Sequence, residues 1–262
     1  MLMLLSPAKT LTEGPALDAF PVTRPELAND VRILQKTVRA LTLTKLRSLM
    51  GISDDLARLN RERHQQLEPE PSTEDARQAL FLFAGDVYRG LDAPTLDADA
   101  VSWAQDHVAI LSGLYGILRP LDAIQPYRLE MGTSLPTRRG SSLYDYWGDK
   151  VTRVAASWCS DHGHDAVVNL ASQEYFRVIT PDKLGVPVIT PVFKDVKNGK
   201  ARTLAFFAKQ ARGAMVRWAA ENAIDAPDAL KDCDVMGYAY EPDVSTDTKW
   251  VFTREQPPPV NG

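Results

Sequence analysis

Residues 110–132, with the sequence ILSGLYGILRPLDAIQPYRLEMG, contain two glycines spaced three apart and two arginines. Gly113 and Gly116 lack a Cβ atom, so they adopt φ > 0 readily and let backbone amides approach a bound anion. The stretch follows residues 96–111, where Asp97 is suited to cap a helix and apolar residues recur at helical spacing. A helix followed by a glycine hairpin is typical of a helix-hairpin-helix element, in which backbone amides bind a DNA phosphate.

A second interpretation of this stretch stays open, because a glycine at this place also ends an ordinary helix. Gly113 would then be a left-handed C-cap, with Leu114 packed onto the core. Pro120 argues against a long second helix, since proline is poorly tolerated beyond the first helical turn. In the first interpretation, Leu114 and Tyr115 form the tip of the hairpin and Arg119 places positive charge beside it.

The overall composition predicts a folded protein with a sizeable core. The chain has 262 residues, is 44% hydrophobic and carries a formal net charge of −4. A net negative charge excludes attraction of the whole molecule to nucleic acid, so a nucleic-acid partner must meet a local basic patch. No linker, repeat or low-complexity block divides the sequence. We therefore expect a single α+β domain over residues 1–262, with a mixed sheet and surrounding helices.

Cysteine usage and hydropathy indicate a cytoplasmic protein. The two cysteines, Cys159 and Cys233, are too few for a disulfide scaffold and agree with a reducing compartment. The apolar run at residues 1–5 is shorter than a signal peptide requires, and no later run reaches the ~18–20 apolar residues of a membrane span. We expect no membrane partner.

Polar residues follow two segments that are predicted to be buried strands. The apolar run at residues 2–5 ends at Ser6 and leads to Lys9, and the run at residues 166–170 leads to Glu174. Polar groups at the ends of buried strands are often part of a site. A second hypothesis therefore places a polar cleft at these ends, with charged residues that converge in it: Lys9, Arg128, Glu130, Glu174 and Lys194.

The other predicted elements complete the expected α+β pattern. Residues 25–83 are expected to form three or four helices, with Ser53 and Ser72 or Thr73 at helix starts. Residues 143–158 and 209–222 are predicted to be helical. Strands are predicted at 186–193, 201–207 and within 238–252, and Asn198-Gly199 suits a tight hairpin turn between the first two.

Positive charge is concentrated between residues 194 and 217. This segment has seven basic residues against one acid, a local balance of +6 (7 − 1). Lys209 and Arg212 are three apart on a predicted helix and so lie on one face. A basic patch of this kind is suited to phosphate binding, although such runs are often solvated faces.

Metal or cofactor chemistry is not predicted. Cys159, Asp161, His162 and His164 are ligand types for zinc or iron, but the cluster has one cysteine and no second ligand group at a typical spacing. Nucleotide-binding, nucleophile-elbow and metalloprotease motifs do not occur in the sequence. We therefore expect no metal and no cofactor, and whether the protein is an enzyme stays open.

Several motifs together resemble the YaaA peroxide-stress family, from the first residue to about Val251. The matching segments are LLSPAKT at 4–10, GDVY at 85–88, LSGLYGILRPLD at 111–122, QPYRLEMG at 125–132, YWGD at 146–149, NLAS at 169–172 and PVF at 191–193. The resemblance implies a cytoplasmic bacterial protein of the oxidative-stress response that limits damage linked to free iron and binds DNA. It also implies an unusual α+β fold that carries a helix-hairpin-helix element.

The resemblance also implies which residues contact DNA. The hairpin falls on Ser112, Gly113, Leu114, Tyr115 and Gly116, followed by Arg119. The family's basic cleft would include Lys9, Arg128, Lys194, Lys209 and Arg212.

The sequence thus yields two functional hypotheses. The first is a stress protein that binds duplex or distorted DNA through phosphate contacts with little base specificity. The second is an enzyme that acts on a small anionic or nucleotide-like ligand in the polar cleft, with Lys9 or Glu174 as the reactive group. An enclosed pocket lined by Lys9, Glu130 and Glu174 would favour the second, and a long open basic groove would favour the first.

Overall fold

The computed structural model describes residues 1–258 and contains one large mixed sheet. Its strands are β1 (Leu2–Leu5), β2 (Thr10–Leu11), β3 (Arg77–Gln78), β4 (Phe83–Ala84), β5 (Val108–Ser112), β6 (Gly116–Leu118), β7 (Ala123–Ile124), β8 (Val167–Asn169), β9 (Val188–Lys197), β10 (Lys200–Arg202), β11 (Ala239–Tyr240) and β12 (Lys249–Glu255). The large sheet has the order β11-β12-β9-β8-β1-β5-β6, with β10 paired to β9. The pairs β2-β4 and β3-β7 form two small sheets.

Helices surround the large sheet, as the α+β prediction requires. The α-helices are α1 (Ala28–Arg39), α2 (Leu43–Met50), α3 (Asp54–Gln66), α4 (Ala79–Leu82), α5 (Asp86–Leu91), α6 (Ala98–His107), α7 (Leu143–Trp147), α8 (Lys150–Asp161), α9 (Gln173–Phe176) and α10 (Ala205–Glu221). Short 3-10 helices lie at Ala93–Thr95, Pro181–Lys183, Pro227–Asp232, Val235–Gly237 and Pro242–Val244. Among residues 1–258, no helix is both long enough and apolar enough to cross a membrane.

Strand β1 lies in the middle of the sheet and explains the apolar run near the start of the chain. It pairs in parallel with β5 on one side and with β8 on the other. Leu2, Met3, Leu4 and Leu5 are all at most 1% exposed, because a central parallel strand is covered on both faces. A continuous apolar run, rather than an alternating one, is the pattern that this position requires.

The strand order reverses between β1 and β8. The chain passes from β1 to β5 on one side, whereas β8 is followed by β9 and then β12 on the other side. In an open parallel sheet, such a reversal leaves a crevice outside the carboxyl ends of the two strands, where ligands commonly bind. The polar residues that follow β1 and β8 therefore meet at one place.

The glycine hairpin differs from the helix-hairpin-helix prediction, which the structure does not confirm. Helix α6 ends at His107, and strands β5 and β6 pair in an antiparallel hairpin that contains both glycines. Leu114 and Tyr115 at its turn are 0% and 4% exposed. A Cβ atom on Gly113 would lie 2.2 Å from the Leu129 carbonyl oxygen, and Gly116 has φ +76°. These glycines allow close backbone packing inside the protein. The interpretation of Gly113 as a helix C-cap is wrong, because strand β5 precedes it.

Most of the other predicted elements are present, with shifted ends. Ser53 and Asp97 cap α3 and α6 through side-chain hydrogen bonds from the amides of Leu56 and Ala100. Asn198-Gly199 forms the β9-β10 turn, with φ values of +52° and +70°. The predicted strand at 201–207 is wrong beyond Arg202, because α10 begins at Ala205. Ser72 and Thr73 do not start a helix; a turn lies there instead.

Helices α5 and α10 pack closely because a glycine on each faces the other. A Cβ atom on Gly213 would lie 1.7 Å from the Val87 carbonyl oxygen, and one on Gly90 would lie 2.0 Å from the Gln210 carbonyl oxygen. This contact fixes the position of α10 relative to the strand ends.

We predict that Gly213→Ala lowers the free energy of unfolding by about 2–3 kcal/mol, since the added methyl group meets a backbone carbonyl that cannot yield cheaply. Urea unfolding measures the change. Gly51→Ala is the control, because Gly51 has φ +59° and open space around it, so strain alone applies there, at about 1 kcal/mol. Equal costs at the two sites would contradict a tight α5-α10 contact.

Candidate functional site

A polar cleft of about 440 Å³ lies at the carboxyl ends of β1 and β8. We call it the strand-end cleft. The loop after β1, the segment from β4 into α5, α9 and α10 all contribute to it. Its polar and charged lining residues are Ser6, Lys9, Thr10, Asp86, Tyr88, Arg89, Glu130, Ser172, Glu174, Tyr175, Lys209 and Arg212.

The two strand ends are joined directly at the floor of the strand-end cleft. The Ser172 amide donates a hydrogen bond to Ser6 Oγ at 2.9 Å, and the two hydroxyl oxygens lie 3.4 Å apart. Tyr88 OH donates to the Ser6 carbonyl oxygen at 3.1 Å. Burial raises the pKa of the Tyr88 hydroxyl well above its usual range, so Tyr88 is a neutral donor. These three side chains therefore form an uncharged, hydrogen-bonded floor.

One wall of the strand-end cleft is acidic. Glu130 Oε1 forms ion pairs with Lys9 Nζ at 3.0 Å and with Arg128 Nη2 at 3.1 Å. Glu174 Oε1 accepts from the Gly132 amide at 2.9 Å. Each carboxylate is thus oriented through one oxygen atom.

The other wall is cationic and is formed by α5 and α10. Arg89 pairs with Asp86 on its own helix at 3.4 Å. Arg212 and Lys209 have no carboxylate within ion-pairing distance among residues 1–258. Burial lowers the pKa of the Arg212 guanidinium, and no neighbouring acid raises it. Arg212 is therefore a partly buried cation that lacks an acidic partner in the part of the chain that the structure describes.

The structure brings together most of the predicted cleft residues. Lys9, Glu130, Glu174, Lys209 and Arg212 line the strand-end cleft, and Arg128 joins it through its contact with Glu130.

Two predicted site residues lie elsewhere. Lys194 does not line the strand-end cleft; it sits on β9, on the face opposite Phe193 and Asp195. Arg119 lines a separate depression with Lys150 and Arg153, where its guanidinium lies 4.8 Å from the centre of the Trp158 ring.

The predicted hairpin contacts are not available at the surface. Ser112 is 0% exposed and is engaged by Tyr127 OH at 2.6 Å and by the Tyr115 amide at 2.9 Å. The Gly113 carbonyl accepts from Trp147 Nε1 at 3.0 Å. This turn serves the internal packing, so the prediction of exposed amides at Gly113 to Gly116 is corrected.

Sequence reasoning missed the part that α5 contributes. Asp86, Tyr88 and Arg89 line the strand-end cleft, but they follow a two-residue strand that alternation does not reveal. The only available signal was the GDVY motif at 85–88. Gly90 and Gly213 were not recognised as a helix contact because the pairing is long-range.

The cysteine-histidine cluster does not form a metal centre in the described part of the chain. Both ring nitrogens of His164 are engaged, Nδ1 with the Met1 amino group at 3.2 Å and Nε2 with the Asp106 carbonyl at 2.9 Å. Cys159 is 2% exposed, and burial raises the pKa of its thiol to about 11. Cys233 is buried likewise, with a thiol pKa of about 11. These are unreactive core thiols.

The fold and site define a class of protein: a mixed α+β sheet with a polar cleft at the point where the strand order reverses. The family model for the peroxide stress protein YaaA matches residues 1–244. A UPF0246 protein of Caulobacter vibrioides is 51% identical over 257 residues, covering 98% of this chain and 100% of the relative.

Two further relatives have the same extent. A UPF0246 protein of Roseobacter denitrificans is 52% identical over 259 residues, covering 98% of this chain and 99% of its own length. A UPF0246 protein of Neisseria meningitidis is 46% identical over 256 residues, covering 98% of this chain and 99% of its own length. The chain belongs to the YaaA peroxide-stress family, which supports a role in the response to oxidative stress.

We predict that acid weakens the fold through two buried histidines. Burial lowers the pKa of His64 and of His164 to about 4, whereas the pKa of a histidine in the unfolded chain is about 6.5. As the pH falls below about 6.5, the unfolded chain therefore binds more protons at these two residues than the folded protein does. Each histidine then lowers the free energy of unfolding by roughly 2 kcal/mol between pH 7 and pH 5. Burial raises the pKa of Asp122 to about 6, so the folded protein binds this proton more tightly, and the same pH change raises the free energy of unfolding by about 1 kcal/mol. Among these three groups, the net loss is about 2–3 kcal/mol.

Urea unfolding at pH 7 and pH 5 measures this loss. His64→Gln keeps a hydrogen-bond donor near the Arg128 carbonyl but does not titrate. Between pH 7 and pH 5, this variant should therefore lose less free energy of unfolding than the unmodified protein, by the contribution of one histidine. Equal stability of the unmodified protein at the two pH values would contradict the prediction.

Proposed function

We propose that the protein acts in the peroxide stress response by binding an anionic ligand in the strand-end cleft. One observation carries the proposal: Arg212 faces this cleft without an acidic partner among residues 1–258. Lys209 lies three residues earlier on α10 and lines the same wall. An anion between the two cations would replace the water that burial removes from Arg212.

The energetic reason is that a desolvated charge is costly until it is paired. Hydrogen bonds between a charged donor and a charged acceptor contribute roughly 1.5–3 kcal/mol, about twice as much as neutral ones. A guanidinium also matches the geometry of phosphate and carboxylate oxygens. The acid-base groups of the opposite wall, Lys9, Glu130 and Glu174, would then face the bound ligand, which supports the hypothesis of an enzyme.

A second candidate function, DNA binding through phosphate contacts, is favoured by a different surface. The β9-β10 hairpin exposes Lys197, Lys200 and Arg202 to solvent, and Phe206 nearby on the chain is 47% exposed. These cations come from the basic segment identified in the sequence. We propose that any contact with DNA is made by this hairpin rather than by the buried turn at Gly113. Protection from iron-linked damage and a cytoplasmic location are proposals that follow from the family resemblance.

We predict that Arg212→Gln abolishes anion binding by the strand-end cleft. In the unmodified protein, inorganic phosphate should raise the thermal unfolding temperature in a saturable way. The variant should bind phosphate at least tenfold more weakly, because one charge-assisted contact of ~1.5–3 kcal/mol is lost. Calorimetric titration gives the affinities. Arg202→Gln, an exposed cation of the hairpin, is the matched control and should keep the phosphate response.

We predict that the triple variant Lys197→Ala, Lys200→Ala and Arg202→Ala weakens DNA binding on all sequences alike. The slope of log affinity against log salt should become shallower by up to about 3 in magnitude, since three phosphate contacts are removed. Fluorescence anisotropy with a labelled duplex at several salt concentrations measures this. Arg212→Gln should leave the slope unchanged. The opposite result, a slope altered by Arg212→Gln alone, would place DNA at the strand-end cleft.

A further inference from the structure

We infer that the ligand of the strand-end cleft is a phosphorylated sugar, with its phosphate on Arg212 and Lys209 and its hydroxyl groups on Glu130 and Glu174. This inference rests on the proposed function and specifies the chemical class of the ligand. It depends on the free hydrogen-bonding groups that the two walls present.

The acidic wall has unused acceptors. Glu130 Oε1 is engaged by Lys9 and Arg128, and Glu174 Oε1 is engaged by the Gly132 amide. Among residues 1–258, the Oε2 atoms of the two carboxylates have no partner. An ionised carboxylate only accepts hydrogen bonds, so these solvent-accessible atoms can accept hydrogen bonds from the donors of a bound ligand in place of water.

The donors that suit this wall are hydroxyl groups. A negatively charged group would be repelled by the carboxylates. Sugar hydroxyls are neutral donors, and acidic side chains bind ribose hydroxyls in this way at the strand ends of other parallel sheets. The ligand therefore needs an anionic end for α10 and a hydroxyl-bearing end for Glu130 and Glu174.

The size of the strand-end cleft agrees with such a ligand. A cleft of about 440 Å³ lies within the usual ~300–1,000 Å³ range for small-molecule sites. Inorganic phosphate would fill only the cationic wall. The floor does not select a charge, because Ser6, Ser172 and Tyr88 hydrogen-bond to one another.

Two sources share this chemistry, a free sugar phosphate and the phosphosugar part of a nucleotide. Calorimetric titration of the full chain with inorganic phosphate, ribose, ribose 5-phosphate and adenosine 5′-monophosphate distinguishes them. We expect ribose 5-phosphate to bind at least tenfold more tightly than inorganic phosphate, and ribose alone to bind undetectably. A further gain with the nucleotide would identify the source as a nucleotide, and no gain would identify a free sugar phosphate.

Glu174→Gln is the decisive variant, because glutamine still accepts from the Gly132 amide through its carbonyl oxygen but no longer offers a carboxylate. It should lose most of the advantage of ribose 5-phosphate and bind inorganic phosphate no more weakly than before. Glu255→Gln, at the end of β12, is the control and should change neither affinity. Circular dichroism checks that both variants are folded.

The outcomes separate this inference from the proposed function. If ribose 5-phosphate and inorganic phosphate bind equally, and both need Arg212, the sugar inference is overturned while the anion site stands. If neither ligand binds the unmodified protein, or both bind Arg212→Gln as well as before, both proposals are overturned. If Glu174→Gln keeps the full preference for ribose 5-phosphate, the assignment of the hydroxyl groups to the acidic wall is wrong.

Discussion

Strand β1 has neighbours on both edges and is covered on both faces, and this position constrains the rest of the molecule. Its four side chains are almost completely buried, so its backbone amides and carbonyls must be paired by β5 and β8. Because the chain leaves β1 and β8 in opposite directions across the sheet, a crevice forms outside their carboxyl ends. The strand-end cleft is thus a consequence of topology, and its residues are those that follow the two strands.

The α5-α10 contact determines which charges reach this cleft. With no side chain at Gly90 and Gly213, the two helices approach to backbone distance, and the face of α10 that carries Lys209 and Arg212 is held over the strand ends. A larger residue at either glycine would move that face away. The cationic wall therefore depends on packing between two helices that are more than 100 residues apart in the sequence. A substitution that loosens this packing would change both the stability of the fold and the position of the two cations.

Sequence reasoning predicted the α+β fold class and which polar residues would lie close together, but not every element. Polar groups after a fully apolar strand, at Ser6, Lys9 and Glu174, were enough to predict a shared cleft, since parallel strand ends meet at one sheet edge. The hairpin at Gly113 was misjudged because glycine permits both an exposed turn and a close internal contact. Neighbours outside the hairpin, the Leu129 carbonyl and the Trp147 side chain, decide between them. Local spacing could not reveal that neighbour, nor the approach of α5.

The basic segment between residues 194 and 217 illustrates why local charge does not define a site. Its cations separate onto different surfaces because β9 directs alternate residues to opposite faces, the β9-β10 turn projects Lys197 and Lys200 outward, and α10 turns Arg212 inward. Exposed lysines are solvated and strongly screened by salt, whereas a partly desolvated arginine interacts with an anion in a lower effective dielectric. Of Lys197, Lys200 and Arg212, the arginine is therefore the cation that a bound anion would stabilise most. That difference in solvation, rather than the local sum of +6, makes the strand-end cleft the leading site.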